Sequence, residues 1–203
     1  MPIAAIPPQL LAARLAARLV HDLMGPASGV ATALELLAAD GAGDPRAEVL
    51  QLAVSSSRRL VGDLAFARAA FGGGNGEVQT ADIEALARSA FDGLRPTLAW
   101  ETAPAGVSAR AGSAVLILLR IAAGVVGSGG EVRVSGAFRI EARGPRASLR
   151  PEVRAGLAGE ALGEGLAGQW APAFYVRSLV AGAGAGFVLA ESATAVVFDL
   201  AME

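Results

Sequence analysis

The sequence contains one histidine, His21, and this side chain has the clearest capacity for chemistry. An exposed, neutral imidazole nitrogen can attack a phosphorus atom in line, and the resulting phosphoramidate stays accessible for onward transfer. Asp22 follows directly, and its carboxylate can polarise the imidazole or approach a metal ion held by a partner. The pair therefore indicates phosphoryl transfer, with a surface histidine of no chemical role as the alternative.

His21 lies within a long helix that the spacing of apolar residues predicts over residues 8–38. At about 100° per residue, His21 lies almost opposite the apolar stripe of this helix and should face solvent. The stripe comprises Leu11, Leu15, Leu19, Leu23, Val30, Leu34 and Leu37. The face around His21 carries two arginines and two small residues, namely Arg14, Arg18, Gly25 and Ser28. The arginines are placed to hold an incoming phosphate or, alternatively, are simply solvated.

Two further residues near His21 affect this interpretation. Asp22 lies about 100° around the helix from His21, which argues against a rigid dyad of the two side chains. Pro26 interrupts the helical pattern and is expected to kink the helix or to free a backbone carbonyl near Asp22.

A second amphipathic helix is predicted over residues 45–71, after a turn at residues 40–45. Asp44 is a suitable N-cap and Pro45 a suitable first helical residue. The apolar residues of this helix include Val49, Leu52, Leu60, Leu64 and Phe71. Two antiparallel helices cannot cover both of their apolar stripes, whereas two hairpins paired in a four-helix bundle can. The pattern therefore predicts a homodimer.

A glycine-rich linker at residues 72–76 separates the hairpin from a segment with a mixed α and β pattern. Thr80 is expected to cap a helix over residues 81–94. Further helices are predicted over residues 112–127, 151–158 and 171–181, and strands over residues 97–102, 187–191 and 195–200. Residues 132–142 alternate between apolar and polar positions and are predicted to form two strands or one bent strand. The predicted fold class is α+β, with an N-terminal helical hairpin and a C-terminal α/β sandwich.

Composition excludes several classes of function. The chain is 53% hydrophobic and 18% charged, so it can bury a core, and a net charge of −2 argues against a nucleic-acid surface. Absence of lysine and cysteine removes Schiff-base chemistry, P-loop phosphate binding, disulfides and thiolate metal sites. A single histidine also makes a histidine-based metal site unexpected. The longest uncharged stretches, residues 1–13 and 178–190, are too short to span a membrane, so we expect a soluble, cytoplasmic protein.

The residues around His21 resemble the H-box of dimerising histidine-phosphotransfer domains. Residues 18–26 read RLVHDLMGP, and residues 33–37 read ALELL. This pattern is similar to that of the ChpT-type histidine phosphotransferases of alphaproteobacteria, and FARAAFG at residues 66–72 is similar to the same family. Weaker similarities follow at residues 144–146, 149–152 and 182–186.

The resemblance implies a dimerisation and phosphotransfer hairpin over residues 1–73 and a degenerate ATPase-like domain over residues 77–203. It implies that His21, assisted by Asp22, takes a phosphoryl group from the receiver domain of a hybrid histidine kinase and passes it to response regulators. No cofactor belongs to the chain itself, since Mg²⁺ is expected from the receiver. The residues expected to contact the receiver are Arg14, Arg18, Gly25, Pro26 and Ser28.

A histidine kinase is the main alternative because it shares this architecture. Kinases carry an asparagine for Mg²⁺ on the helix that corresponds to residues 112–127, whereas the one asparagine here, Asn75, lies in the linker. Residues 142–146 read ARGPR where kinases have D-x-G-x-G, so alanine replaces the aspartate that binds adenine. ATP binding is therefore not expected. A non-catalytic dimeric scaffold for receiver domains remains a third interpretation.

Three other features are interpreted as structural. Residues 163–168 fit G-x-G-x-x-G, but no predicted strand precedes them, so they indicate a loop and not a dinucleotide site. Residues 182–186 are expected to end a helix and form a turn. Trp170, Phe174 and Tyr175 are expected to form a small aromatic group in the core.

Overall fold

The computed structural model describes residues 3–39, 46–101, 104–127, 129–182 and 186–201. Its N-terminal part is a hairpin of two long helices, α1 (Pro8–Ala38) and α2 (Arg46–Phe71), packed side by side. α1 starts with Pro8, and the first helical position accepts proline because a backbone N–H there would have no partner within the helix. The helix continues through Pro26. The structure confirms the predicted span of α1 and, from residue 46 onward, that of α2. The turn between them, including Asp44 and Pro45, lies outside the described residues.

Close packing of the two helices depends on small residues. Ala33 of α1 is fully buried against the hairpin interior. A Cβ at Gly29 would lie only 2.7 Å from Oγ of Ser56 in α2, so the helices approach each other closely because this position has no side chain. Most of the predicted leucine stripe of α1 is half-buried. Three leucines predicted in the apolar stripes are instead exposed in the single chain: Leu34, Leu52 and Leu64.

The C-terminal unit, residues 77–201, is a mixed sheet with helices. In chain order its elements are β1 (Glu77–Gln79), α3 (Thr80–Phe91), β2 (Thr97–Trp100), β3 (Gly106–Ser108), α4 (Ala109–Val125), β4 (Glu131–Ser135), β5 (Arg139–Arg143), α5 (Pro151–Ala158), α6 (Ala167–Gly182), β6 (Gly186–Glu191) and β7 (Ala195–Ala201). The main sheet has the order β2-β4-β5-β7-β6. β2 pairs in parallel with β4, and the other neighbours are antiparallel. β1 and β3 form a separate antiparallel pair.

The core of this unit lies between the main sheet and α4. Leu116–Leu119 of α4 are buried together with Phe138 and Phe198 of the sheet region. The outer sheet face is polar, because alternate residues of β4 and β5 point away from the helices. Its arginines pair with neighbouring carboxylates, as Arg133 does with Glu101 and Arg139 with Asp199. This face is therefore a solvated surface of paired charges.

Three predictions for this unit were wrong in detail, and one pair of strands was missed. Thr80 does not cap α3: its side chain is buried without a capping hydrogen bond, and its backbone N–H donates to the carbonyl of Ala105. α3 ends at residue 91, before Gly93 adopts a left-handed φ of +73°. α4 starts at Ala109, three residues before the predicted start, because Ser108 Oγ accepts a hydrogen bond from the N–H of Ala111. β1 and β3 were not predicted.

The remaining elements largely confirm the sequence pattern. α5 has the predicted span, and the predicted alternating stretch forms β4 and β5. α6 begins four residues before the predicted start, and Pro172 lies inside it. No strand immediately precedes residues 163–168, which begin in the loop between α5 and α6 as expected. Of the predicted aromatic group, Trp170 and Phe174 stack in a buried cluster, whereas Tyr175 stacks on Phe71 of α2.

Candidate functional site

His21 lies in the middle of α1, where 80% of its side chain is exposed. This confirms the predicted direction of the imidazole, away from the apolar stripe. The exposure of His21 follows from the helical period alone, because His21 lies on the face of α1 opposite to the leucine stripe. A solvent-facing ring leaves room for a partner protein to reach its outer nitrogen.

Asp22 connects His21 to Arg18. Nδ1 of His21 lies 3.3 Å from Oδ1 of Asp22, and Nε of Arg18 donates a hydrogen bond of 2.9 Å to Oδ2 of the same carboxylate. The side chains of Arg18 and Asp22 are 28% and 23% exposed. The contact between His21 and Asp22 is closer than the helical angle suggested, because the carboxylate reaches along the helix surface. With the proton on Nδ1, the ring donates to Asp22 and leaves the lone pair of Nε2 facing solvent.

Arg14, which the sequence placed beside His21, points to the C-terminal unit. Its guanidinium lies over the ring of Trp170, 5.2 Å from the ring centroid. Such a cation–π contact is stabilising and competes with any phosphate for the guanidinium. The structure therefore groups Arg18 with His21 and Asp22 and separates Arg14 from them.

The other predicted contact residues leave the surface after His21 open. Gly25 and Ser28 are exposed, and Pro26 is half-buried. A Cβ at Gly25 would meet no atom of another segment within 4 Å. The surface on the C-terminal side of His21 is therefore formed by small residues.

A cleft of about 490 Å³ lies between the hairpin and the C-terminal unit, and Arg18 and Asp22 form part of its wall. Its apolar lining includes Leu19, Phe66, Phe71, Ile117, Ile121 and Val153, and its charged lining adds Asp63, Arg95, Arg120 and Arg150. Asp63 of α2 is 12% exposed and lies 3.7 Å from Nη1 of Arg120 in α4, whose guanidinium also stacks over Phe66.

Asp63 and Arg120 were not predicted as site residues from the sequence. A signal was present, because Asp63 lies between Leu60 and Ala67 on the inward face of α2, where a carboxylate requires a cationic partner. One such partner, Arg59, precedes Asp63 by one turn of α2 and lies 3.9 Å from it, whereas Arg120 lies on a different element and could not be predicted from the pattern of α2. The contact between Asp63 and Arg120 joins α2 of the hairpin to α4 of the C-terminal unit.

Within the described ranges, no group of three or more His, Cys, Asp or Glu side chains is arranged to hold a metal ion. α4 contains no asparagine, and Ala142, which was expected at the position of the nucleotide-binding aspartate of kinases, is fully buried in β5. Asn75 is exposed in the linker after α2. Among the helices that the structure describes, none has the length and hydropathy needed to span a membrane.

Comparison with known proteins gives consistent matches. Residues 80–195 match the histidine phosphotransferase C-terminal domain. The chain is 31% identical over 127 residues to the protein phosphotransferase ChpT of Brucella abortus (strain 2308), an alignment that covers 61% of this chain and 59% of the relative. A solved structure of a bacterial phosphotransferase is 26% identical and superposes with a TM-score of 0.84, covering 97% of this chain and 98% of its own. The mixed α+β fold is therefore shared over nearly the whole chain.

Proposed function

Because the chain belongs to the family with the histidine phosphotransferase C-terminal domain, we propose that it relays a phosphoryl group between receiver domains through His21. The arrangement on α1 carries this proposal: the one histidine of the sequence is 80% exposed and contacts Asp22. The donor is the receiver domain of a hybrid histidine kinase, and the acceptors are response regulators in the cytoplasm. The names of the two relatives, both phosphotransferases, support the same class of reaction.

In the proposed step, Nε2 of His21 forms a bond with the phosphorus of an aspartyl phosphate on the donor receiver. The bond between phosphorus and the carboxyl oxygen breaks, and the donor aspartate leaves as a carboxylate with the electron pair. Positive charge develops on the imidazole ring, and the carboxylate of Asp22 beside Nδ1 stabilises it. Mg²⁺ bound by the receiver would neutralise charge on the phosphoryl oxygens. Attack by an aspartate of the second receiver reverses the step and restores neutral His21.

Two exposed apolar seams on the hairpin support a homodimer. The α1 seam consists of Leu10, Ala13, Ala17, Val20, Met24, Ala27, Ala31 and Leu34, and the α2 seam of Ala47, Leu50, Val54, Ser57, Val61 and Leu64. Members of both seams follow at alternating intervals of three and four residues, and all are exposed in the single chain. This spacing is the pattern with which helices pack in coiled coils and four-helix bundles.

Helical geometry places both seams on one side of the hairpin. In each helix the seam is rotated by about 100°, in the same sense, from the face that packs against the other helix. Because the helices are antiparallel, these equal rotations direct both seams to the same side. Ten of the twelve large hydrophobic residues that are exposed in the described part of the chain lie on α1 and α2. A second hairpin on this side would complete a four-helix bundle from residues 1–73 of each chain, with His21 on each flank.

Residues 77–203 form, in this proposal, a second domain that resembles the ATPase domain of histidine kinases but does not bind ATP. The exposed linker at residues 72–76 marks the boundary. The buried methyl group of Ala142 cannot accept a hydrogen bond from an adenine amino group, and α4 offers no amide oxygen for Mg²⁺. The contacts of Arg120 with α2 and of Trp170 with α1 support a different role, which is to hold the hairpin and to extend the docking surface.

A transfer assay tests the relay. The receiver domain of a hybrid histidine kinase is phosphorylated with radiolabel, freed of ATP and kinase, and mixed with the wild-type chain or with His21→Ala. We expect acid-labile, base-stable label on the wild type and none on His21→Ala. Thr32→Ala, a change on the exposed surface of α1 about three turns from His21, is the matched control and should accept label normally.

Two results would contradict the proposal. Receivers that bind the wild type without labelling it would indicate a non-catalytic scaffold. Saturable binding of fluorescent ATP, followed by label on His21 from radiolabelled ATP alone, would indicate a kinase.

A further inference from the structure

We propose that Arg18 is a positioning residue that fixes Asp22 against His21, and that α6 of the C-terminal unit holds Arg18 in place. The inference deepens the proposed function, because it names the group that prepares the phosphoacceptor. It differs from the expectation that Arg18 holds the incoming phosphate. In the structure, Nε of Arg18 is already engaged by Oδ2 of Asp22 at 2.9 Å.

The two oxygens of the Asp22 carboxylate have separate partners. Oδ2 accepts from Arg18, and Oδ1 faces Nδ1 of His21 at 3.3 Å. An aspartate held at only one oxygen can rotate about its side-chain bonds, whereas a charge-assisted bond to Arg18 restricts that rotation. The carboxylate is therefore held in place to accept a hydrogen bond from Nδ1–H. This selects the tautomer in which Nε2 is unprotonated and nucleophilic.

Arg18 is in turn fixed by the first turn of α6. A Cβ at Gly168 would lie 3.4 Å from Cδ of Arg18, so the glycine backbone lies against the aliphatic part of the arginine. Two residues later, Trp170 is fully buried, stacks on Phe174 and donates its Nε1–H to the carbonyl of Glu160 at 3.0 Å. Arg14 covers the same indole one turn before Arg18. The surface against Arg18 is thus part of a packed cluster and is not a mobile loop.

The chain has one histidine, so ¹⁵N labelling of histidine gives a single pair of ring resonances for the tautomer of His21. We measure both nitrogen shifts of the neutral ring in the unphosphorylated protein, without any partner. The wild type should show a protonated Nδ1 and an unprotonated Nε2. Arg18→Gln should shift the equilibrium toward the Nε2–H tautomer that free histidine prefers, and Asp22→Asn should do the same. Arg58→Gln removes an exposed arginine of α2 and is the matched control, with no expected change.

Two further variants separate charge, geometry and folding. Arg18→Lys keeps the positive charge but loses the directed Nε–H, so it should restore the Nδ1–H tautomer only in part. Gly168→Leu, a change in the C-terminal unit, should move the tautomer in the same direction as Arg18→Gln because the added side chain displaces Arg18. In the transfer assay, Arg18→Gln should slow labelling about tenfold while receiver affinity stays unchanged.

A wild type with the Nε2–H tautomer, or an Arg18→Gln spectrum identical to the wild type, overturns the proposal. A helical circular-dichroism spectrum for each variant confirms that the comparison is made on folded protein. Because the tautomer is measured without a receiver, a failure of the relay itself leaves this result standing. Conversely, normal transfer through His21 in Arg18→Gln refutes only the positioning role.

Discussion

Replacement of Val61 by glutamate should dissociate the proposed homodimer. Val61 is in the α2 seam and is 63% exposed in the single chain, so this share of its side chain becomes buried when a second hairpin packs on it. Full burial of a valine side chain is worth about 1.5 to 3 kcal/mol of stability. Burial of the exposed share of Val61 should therefore stabilise the dimer by about 1 to 2 kcal/mol for each chain, or about 2 to 4 kcal/mol for both chains. Loss of this burial alone should raise the dissociation constant about 30- to 700-fold. The desolvation of two carboxylates adds to the effect.

Sedimentation equilibrium over a concentration series measures this change. The wild type should sediment with twice the chain mass of 20.3 kDa, and Val61→Glu should approach the mass of one chain. Val188→Glu is the matched control, because Val188 is 65% exposed but lies on β6, outside the hairpin. It should remain dimeric. Circular dichroism establishes that Val61→Glu keeps its helices.

A wild type that sediments at 20.3 kDa throughout the series would refute the proposed homodimer. It is equally refuted if Val61→Glu dimerises as tightly as Val188→Glu, since the seam would then not be the contact.

Two further predictions concern stability. Gly29→Val should lower the free energy of unfolding in urea by about 1 to 3 kcal/mol, since its Cβ would lie 2.7 Å from Oγ of Ser56. Gly124→Ala in α4, where a Cβ meets no atom of another segment within 4 Å, should raise that free energy by about 0.5 to 1 kcal/mol; equal effects at the two glycines would contradict the packing argument. Hydrogen bonds from Arg154 lower the pKa of Glu191 in the folded state. The ion pair therefore stabilises the fold at pH values above the ordinary glutamate pKa of about 4.3, and this stabilisation is lost as the pH falls through the lowered pKa. Glu191→Gln should therefore lower Tm at pH 7 and approach the wild-type Tm in strong acid, whereas a Tm difference independent of pH would exclude this ion pair as the cause.

The direction of His21 could be predicted from the sequence because it depends on one helix only. The leucine stripe identifies the inward face, and a rotation of about 100° per residue then places the imidazole opposite to it. The structure confirms this with a side chain that is 80% exposed. The span of α1 was predictable for the same reason, since its apolar spacing continues across Pro26.

Contacts between distant segments could not be predicted in this way. Arg14 has the same helical environment as Arg18 in the sequence, yet the ring of Trp170 from α6 lies beneath its guanidinium, and no local pattern links the two. β1 and β3 have three residues each, which is too short for a period of two to be detected, and they are stabilised by pairing with each other. Thr80 has a residue type that favours capping, but α3 follows β1 without a loop, so its side chain is buried.

Four consecutive residues of α1 show how a receiver domain must approach. Successive side chains point about 100° apart, so residues 18–21 sample all sides of the helix. Arg18 faces α6, Leu19 faces the cleft beside α2, and Val20 lies in the seam that the proposed dimer covers. Only the direction of His21 stays open once a second hairpin is in place. In the proposed dimer, the side of the bundle that carries His21 would therefore lie between the C-terminal unit and the second chain, and a receiver that reaches Nε2 would approach between them.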